Sequence, residues 1–154
     1  MATTTRQLPT LPEETTASIK TFLKHFYTIS DNQELNNEWV NYYTEEATLI
    51  MGISVAKGLK EIGTLRESMW KTVVSRQHSV EKVFVGCVEG EEEVEISIFG
   101  RVMYRLRGGG DEEGSEWSAT GRLVKRRVVE GEEEGKLWKW REYRVFLRGE
   151  MVVL

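Results

Sequence analysis

His78, in the stretch "SRQHSVEKVF", is one of two histidines among 154 residues, and it is the side chain best suited to moving a proton near neutral pH. An imidazole does this with an unperturbed pKa, whereas a carboxylate does so only after burial. On the alternation of a strand, His78 shares a side with Val80 and Phe84 and can point inward with them. That placement supports a general acid or base. The same letters also fit a histidine that bonds a backbone carbonyl at the start of a strand. His25, at the flank of a helical apolar stripe, reads as an edge residue. Tyr27, Trp39, Tyr42, Tyr104, Trp117 and Trp140 offer hydroxyl and indole donors that could line a cavity. Each is also an ordinary core residue, but their number suits a flat, hydrophobic ligand. Glu142, with Arg122, Arg141 and Arg144 near it, reads as part of an outer-face salt bridge.

Other chemistries are excluded by what the spacing lacks. There is no zinc ligand spacing, no phosphate-binding glycine loop and no serine or cysteine nucleophile motif. The acidic clusters at 89–95, 111–116 and 130–134 do not keep the alternating ligands of a calcium loop, and solvated hairpin tips account for them. Cys87 is the single cysteine, which rules out an intramolecular disulfide and a cysteine-rich zinc site and fits a reducing compartment. A net charge of -4 argues against nucleic acid as the main partner. The opening "MATTTRQLPTLPEE" has no apolar export core, and nowhere do 18 apolar residues run together. The expectation is a soluble cytoplasmic protein with no metal, no cofactor and no membrane partner.

The elements that must position His78 follow from periodicity. Residues 1–12 are Thr-rich, carry both prolines and read as a flexible arm. Ile19, Phe22, Leu23 and Phe26 form one stripe of a helix from Glu13 to about Thr28. Asp31 and Glu34 have capping-box spacing ahead of a second stripe, Leu35, Trp39 and Tyr42. "ATLIMGI" is a short strand candidate, and Gly58 precedes a third helix whose Leu59, Ile62, Leu65, Met69 and Val73 share one side. Arg66 falls in that arc, either as a stem reaching water at the helix edge or as a pocket cation. After Ser75 the period becomes two, and glycine-containing acidic breaks divide strands at about 77–88, 94–107, 116–129 and 136–148. Short loops make them an antiparallel meander, and three helices before it give an α+β fold with the helices on one sheet face. Gly100 and Gly121 in mid-strand permit sharp bends, so the sheet is strongly curved with a hollow inside. In "LWKWREYRVFL", Trp138, Trp140 and Phe146 have one parity and Tyr143, Val145 and Leu147 the other. Either a bulge near Arg141 shifts the register, or both faces are covered, most simply by a second copy in a homodimer.

This order, with "NYYTEEATLIMG", "KGLKEI", then His78 and a curved meander, resembles the SnoaL-like branch of the NTF2-like superfamily over residues 13–148. Small fungal SnoaL-like proteins resemble it further at "FGRVMYRL", "EWSATGRL" and "YRVFL". The resemblance implies a single domain at 13–148, with 149–154 as a tail, shaped as a cone-like α+β barrel around an apolar pocket and often dimeric. His78 looks like the histidine that scytalone dehydratases of this superfamily use for acid/base chemistry, and Asp31 like the aspartate that orients it. Met51 stands about where those enzymes have a substrate-polarising tyrosine, and their second histidine falls near Ile98 or Gly100, so that particular activity is not implied. The superfamily also hosts isomerases, cyclases and plain binding modules.

The function expected is a cofactor-independent lyase, isomerase or cyclase acting on a small hydrophobic, polyketide- or terpenoid-like metabolite. His78 and Asp31 would be catalytic, with Tyr27, Trp39, Tyr42, Met51, Tyr104, Trp117 and Trp140 around the substrate. The alternative is a non-catalytic ligand-binding or dimeric interaction module of the same fold.

Overall fold

A computed structural model describes residues 11–87, 92–126, 131 and 137–147. Most of the expected N-terminal arm and the expected C-terminal tail lie outside these residues. Helix α1 spans Glu13–Ser30, starting after Pro12 with Glu13 and Glu14 in its first turn, and runs two residues beyond the expected end. Its stripe is the core face, since Ile19 and Phe22 have no exposed surface and Leu23 and Phe26 almost none.

The second helix is shorter than its stripe suggests. A 3-10 turn at Gln33–Leu35 leads into α2, only Asn36–Val40. Asn32, not Asp31, caps this turn: its Oδ1 accepts the Glu34 N–H at 3.0 Å. Trp39 is buried, but Tyr42 lies past the helix end and is half-buried. Strand β1 (Tyr43–Met51) begins earlier than "ATLIMGI" and turns through Gly52 into a short partner, β2 (Ser54–Lys57). Helix α3 (Gly58–Thr72) then enters β3 (Val73–Cys87), followed by β4 (Glu93–Leu106), β5 (Glu113–Lys125) and β6 (Trp138–Leu147).

The strands form one sheet in the order β2-β1-β6-β5-β4-β3. From β3 to β6 the pairing is the expected antiparallel meander. The sheet as a whole is mixed, however, because β1 runs parallel to β6. No hairpin joins those two, so nothing forces them to run in opposite directions.

Both mid-strand glycines sit where the backbone passes closely beside an irregularity. Gly100 opposes Val80, next to the register shift between Val80 and Lys82; a Cβ there would come within 2.0 Å of the Ser79 carbonyl oxygen. Gly121 opposes Tyr143, beside the shift that leaves Arg141 without a partner; its Cβ would lie 2.5 Å from the Glu142 carbonyl oxygen and 2.6 Å from Trp140. The bulge at Arg141 also accounts for the two parities of β6, because it lets Trp138, Trp140, Tyr143 and Val145 all face the core. Phe146 is turned outward instead, 47% exposed, as are Phe84 and Phe99. Arg122 and Arg141 do form outer-face ion pairs, but with Glu95 (2.9 Å) and Glu93 (2.7 Å).

Candidate active site

The last turn of α1 delivers Asp31 to the start of β3. With Asn32 occupied as the cap, the Asp31 carboxylate is free to turn away and hold His78 at two points. Oδ1 lies 2.5 Å from His78 Nδ1, and Oδ2 accepts the His78 backbone N–H at 2.9 Å. A carboxylate accepts only, so Nδ1 carries the ring proton and Nε2 is left as the basic nitrogen. Burial holds the imidazole below its ordinary 6.5, with Arg76 acting in the same direction and the bond to Asp31 opposing it. At neutral pH His78 is therefore uncharged and able to accept a proton.

His78 opens into a cavity of about 90 Å3 between the helices and the concave face of the sheet. By a measure of about 10–15 Å3 per water, that space admits a small organic group. Tyr27, Trp39, Met51, Tyr104 and Trp117 line it with His78. Asp31 stands behind the histidine, on an outer groove that shares Tyr27, Arg76 and His78 with the cavity. The rings of Tyr27 and Trp117 fix the imidazole, each with its centroid 5.3 Å away.

Two expected ligand contacts belong to the core instead. Trp140 has no exposed surface and stacks on Tyr143 at 4.6 Å, with Phe22 and Phe26 at its edges. Tyr42 packs on Phe22 and Phe26, with ring centroids 5.6 and 5.7 Å away, and is not among the residues lining the cavity. His25 is half-buried on α1 and does not line the cavity.

Sequence reasoning missed Tyr143 and Arg76. Tyr143 Oη lies 2.9 Å from Tyr27 Oη inside the cavity wall. One phenol of the pair donates to the other, which leaves the acceptor's own proton for a ligand. Burial raises both hydroxyls above the ordinary 10.0, strongly for Tyr27, so they remain donors at neutral pH. Tyr143 was hidden by the bulge, which reverses the parity of β6. Arg76 was legible in principle, because the alternation that turns His78 inward turns Arg76 inward too. Its Nη2 and Nε donate to the Ser30 carbonyl (3.0 and 3.3 Å), and its guanidinium lies over Trp70. Burial pulls it down to about 10, opposed by Asp31, Tyr143 and Tyr43, which leaves it charged at neutral pH.

Arg66 does not reach water at the helix edge. It is fully buried, with Nε donating to Asn36 (2.8 Å) and Nη2 to the carbonyls of Ser30 (2.8 Å), Ile29 and Asn32 (both 3.3 Å). Among the described residues no three His, Cys, Asp or Glu side chains gather as metal ligands, and no helix is long and apolar enough to cross a membrane.

A helical layer on a curved six-stranded sheet has solved counterparts. A protein provisionally designated a scytalone dehydratase from Novosphingobium aromaticivorans superposes with a TM-score of 0.72 at 12% identity, over 88% of this chain and 85% of that one. ActVI-ORFA from Streptomyces coelicolor gives 0.70 at 14% identity, over 89% and 97%. The hexachlorocyclohexane dehydrochlorinase LinA-type3 from Novosphingobium barchaimii gives 0.70 at 14%, over 88% and 87%. This is the NTF2-like fold. No family model and no curated protein matches the sequence itself. The NTF2-like fold alone fixes no chemistry, which depends on this chain's own cavity.

Proposed function

We propose that this chain is a cofactor-independent lyase, isomerase or cyclase that acts on a small hydrophobic, polyketide- or terpenoid-like metabolite. The observation that carries the reading is the Asp31–His78 pair opening into a cavity walled by aromatic side chains. In the elimination form of the reaction, His78 Nε2 takes a proton from the carbon next to a carbonyl. The C–H electron pair becomes an enolate, and the Tyr27–Tyr143 pair donates to its oxygen. As the carbonyl re-forms, the enolate's C=C electron pair makes a new double bond to the next carbon along, whose C–O bond breaks, and the imidazolium returns its proton to the departing oxygen. Asp31 keeps the ring in the required tautomer and offsets its charge in the transition state. The names of the structural neighbours, a dehydratase and a dehydrochlorinase, describe the same class of bond change on their own substrates.

The test is turnover with cofactor excluded, using the compound that accumulates when the gene is deleted. Conversion by the purified chain and its loss in a folded His78→Ala variant are the expected results. Full turnover by that variant would remove the base from the mechanism. Binding of the compound without conversion would make the chain a binding module. We also propose that the outward Phe84, Phe99 and Phe146 are covered by a second copy of the chain. Sedimentation is expected to give a dimer, and a monomer at micromolar concentration overturns that assembly.

A further inference from the structure

Arg66 is a buried cation without an anion. Its residue has no exposed surface, and its engaged nitrogens meet only a side-chain amide oxygen and backbone carbonyls. Nη1 is buried and has no hydrogen-bond partner, although Arg66 lines the cavity. The guanidinium carbon lies 4.9 Å from the Trp39 ring and 5.1 Å from the Trp70 ring, so the group is held in place before any ligand arrives. Arg76 adds a second cation, bonded likewise to a neutral carbonyl and placed on the same cavity. Among the described residues no carboxylate forms an ion pair with either guanidinium, and the carboxylate of Asp31 is committed to His78. Asp31 acts on the Arg76 guanidinium only as a neighbouring charge, and Arg66 has no ion-pair partner among the described residues. An isolated buried charge is costly unless it is paired and fully hydrogen-bonded, and a planar guanidinium matches a carboxylate in geometry.

We propose that the ligand of this cavity is a carboxylate on a hydrophobic, flat body, anchored by Arg66 Nη1 with Arg76 supplying the second positive charge. The inference deepens the lyase reading, since it names the class of substrate for the same cavity. The anion is bound on the α3 side of the cavity while His78 works from β3, which leaves the body of the ligand between Tyr27, Trp117 and Met51.

Calorimetric titration at neutral pH with benzoate and salicylate, against benzamide and methyl benzoate, tests it. The acids are expected to bind roughly tenfold or more tightly than their neutral counterparts. That preference is expected to fall several-fold in Arg66→Gln and in Arg76→Gln. Arg66→Gln loses contacts to three carbonyls, so its fold is checked by circular dichroism, and Arg76→Gln decides the matter if it does not fold. Equal binding of acid and ester, no binding of any probe at millimolar concentration, or an undiminished preference in the folded variants overturns the proposal. A chain that prefers acids yet converts nothing would retain the anion site and lose the lyase reading, so the two fail separately.

Discussion

Asp31 grips His78 twice, on the ring through Oδ1 and on the backbone N–H through Oδ2. The second contact fixes the strand and the first fixes the tautomer, so an amide at position 31 cannot replace the carboxylate. A side-chain amide accepts with only one atom and would present an N–H to one of the two donors. Asp31→Asn is therefore expected to fold but to lower turnover by about 10²- to 10⁴-fold, the range for a misdirected base. Nitrogen NMR of the imidazole is the direct measurement: the wild type is expected to show a protonated Nδ1 and a bare Nε2, and the variant a mixture.

Burial holds His78 below 6.5, so its basic form persists into mildly acidic solution. Turnover is expected to rise with pH through a value under 6.5 and then to stay level, and the Hε1 proton shift should titrate at the same point. The effect on stability has the same sign. In the window between the folded value and 6.5 the unfolded chain binds more protons, so His78 favours the fold above that window and its contribution fades as pH falls through it. A titration midpoint at or above 6.5 would show that Asp31 outweighs burial.

Removing either hydroxyl of the Tyr27–Tyr143 pair leaves the other buried without its protein partner. Tyr27→Phe and Tyr143→Phe are each expected to cost about 1–3 kcal/mol of stability, while the double variant costs less than the sum. Both single variants should also lower kcat if the pair stabilises an enolate. A denaturant double-mutant cycle with parallel rate measurements separates the two effects.

Gly100→Ala and Gly121→Ala would each drive a methyl group into backbone oxygen, at 2.0 and 2.5 Å. Relief requires β3 or β6 to shift, and a loss of about 1–3 kcal/mol or more is expected from chemical denaturation. Gly121→Ala should also disturb ligand binding, because it lies opposite Tyr143.

The first and third helices, the meander and the curvature were legible, because each is written in local periodicity or in a glycine that interrupts it, whereas the bulge near Arg141 was one of two readings that the parities of β6 allowed. The parallel contact of β1 with β6 was not, since it joins residues nearly a hundred positions apart with no turn between them. His78 could be picked out because histidines are scarce in the chain, and Asp31 only through its resemblance to an orienting aspartate. As a cap, Asp31 was misread by one position: Asn32 competes for the same role and wins it. For Arg66 the sequence left two readings open, a stem reaching water and a pocket cation. A cation on an apolar helical stripe normally reaches water, and only the tertiary arrangement shows three carbonyls and two indole rings waiting for it.

Ser30 and Asp31 close α1, and between them they touch Arg66, Arg76 and His78. If that single turn frays, His78 loses the carboxylate that orients it and both guanidinium groups lose the Ser30 carbonyl in the same event. The geometry of the cavity and local folding at this point are one equilibrium, so amide exchange at the end of α1 should report on the fraction of molecules with an assembled site, even before a ligand is known.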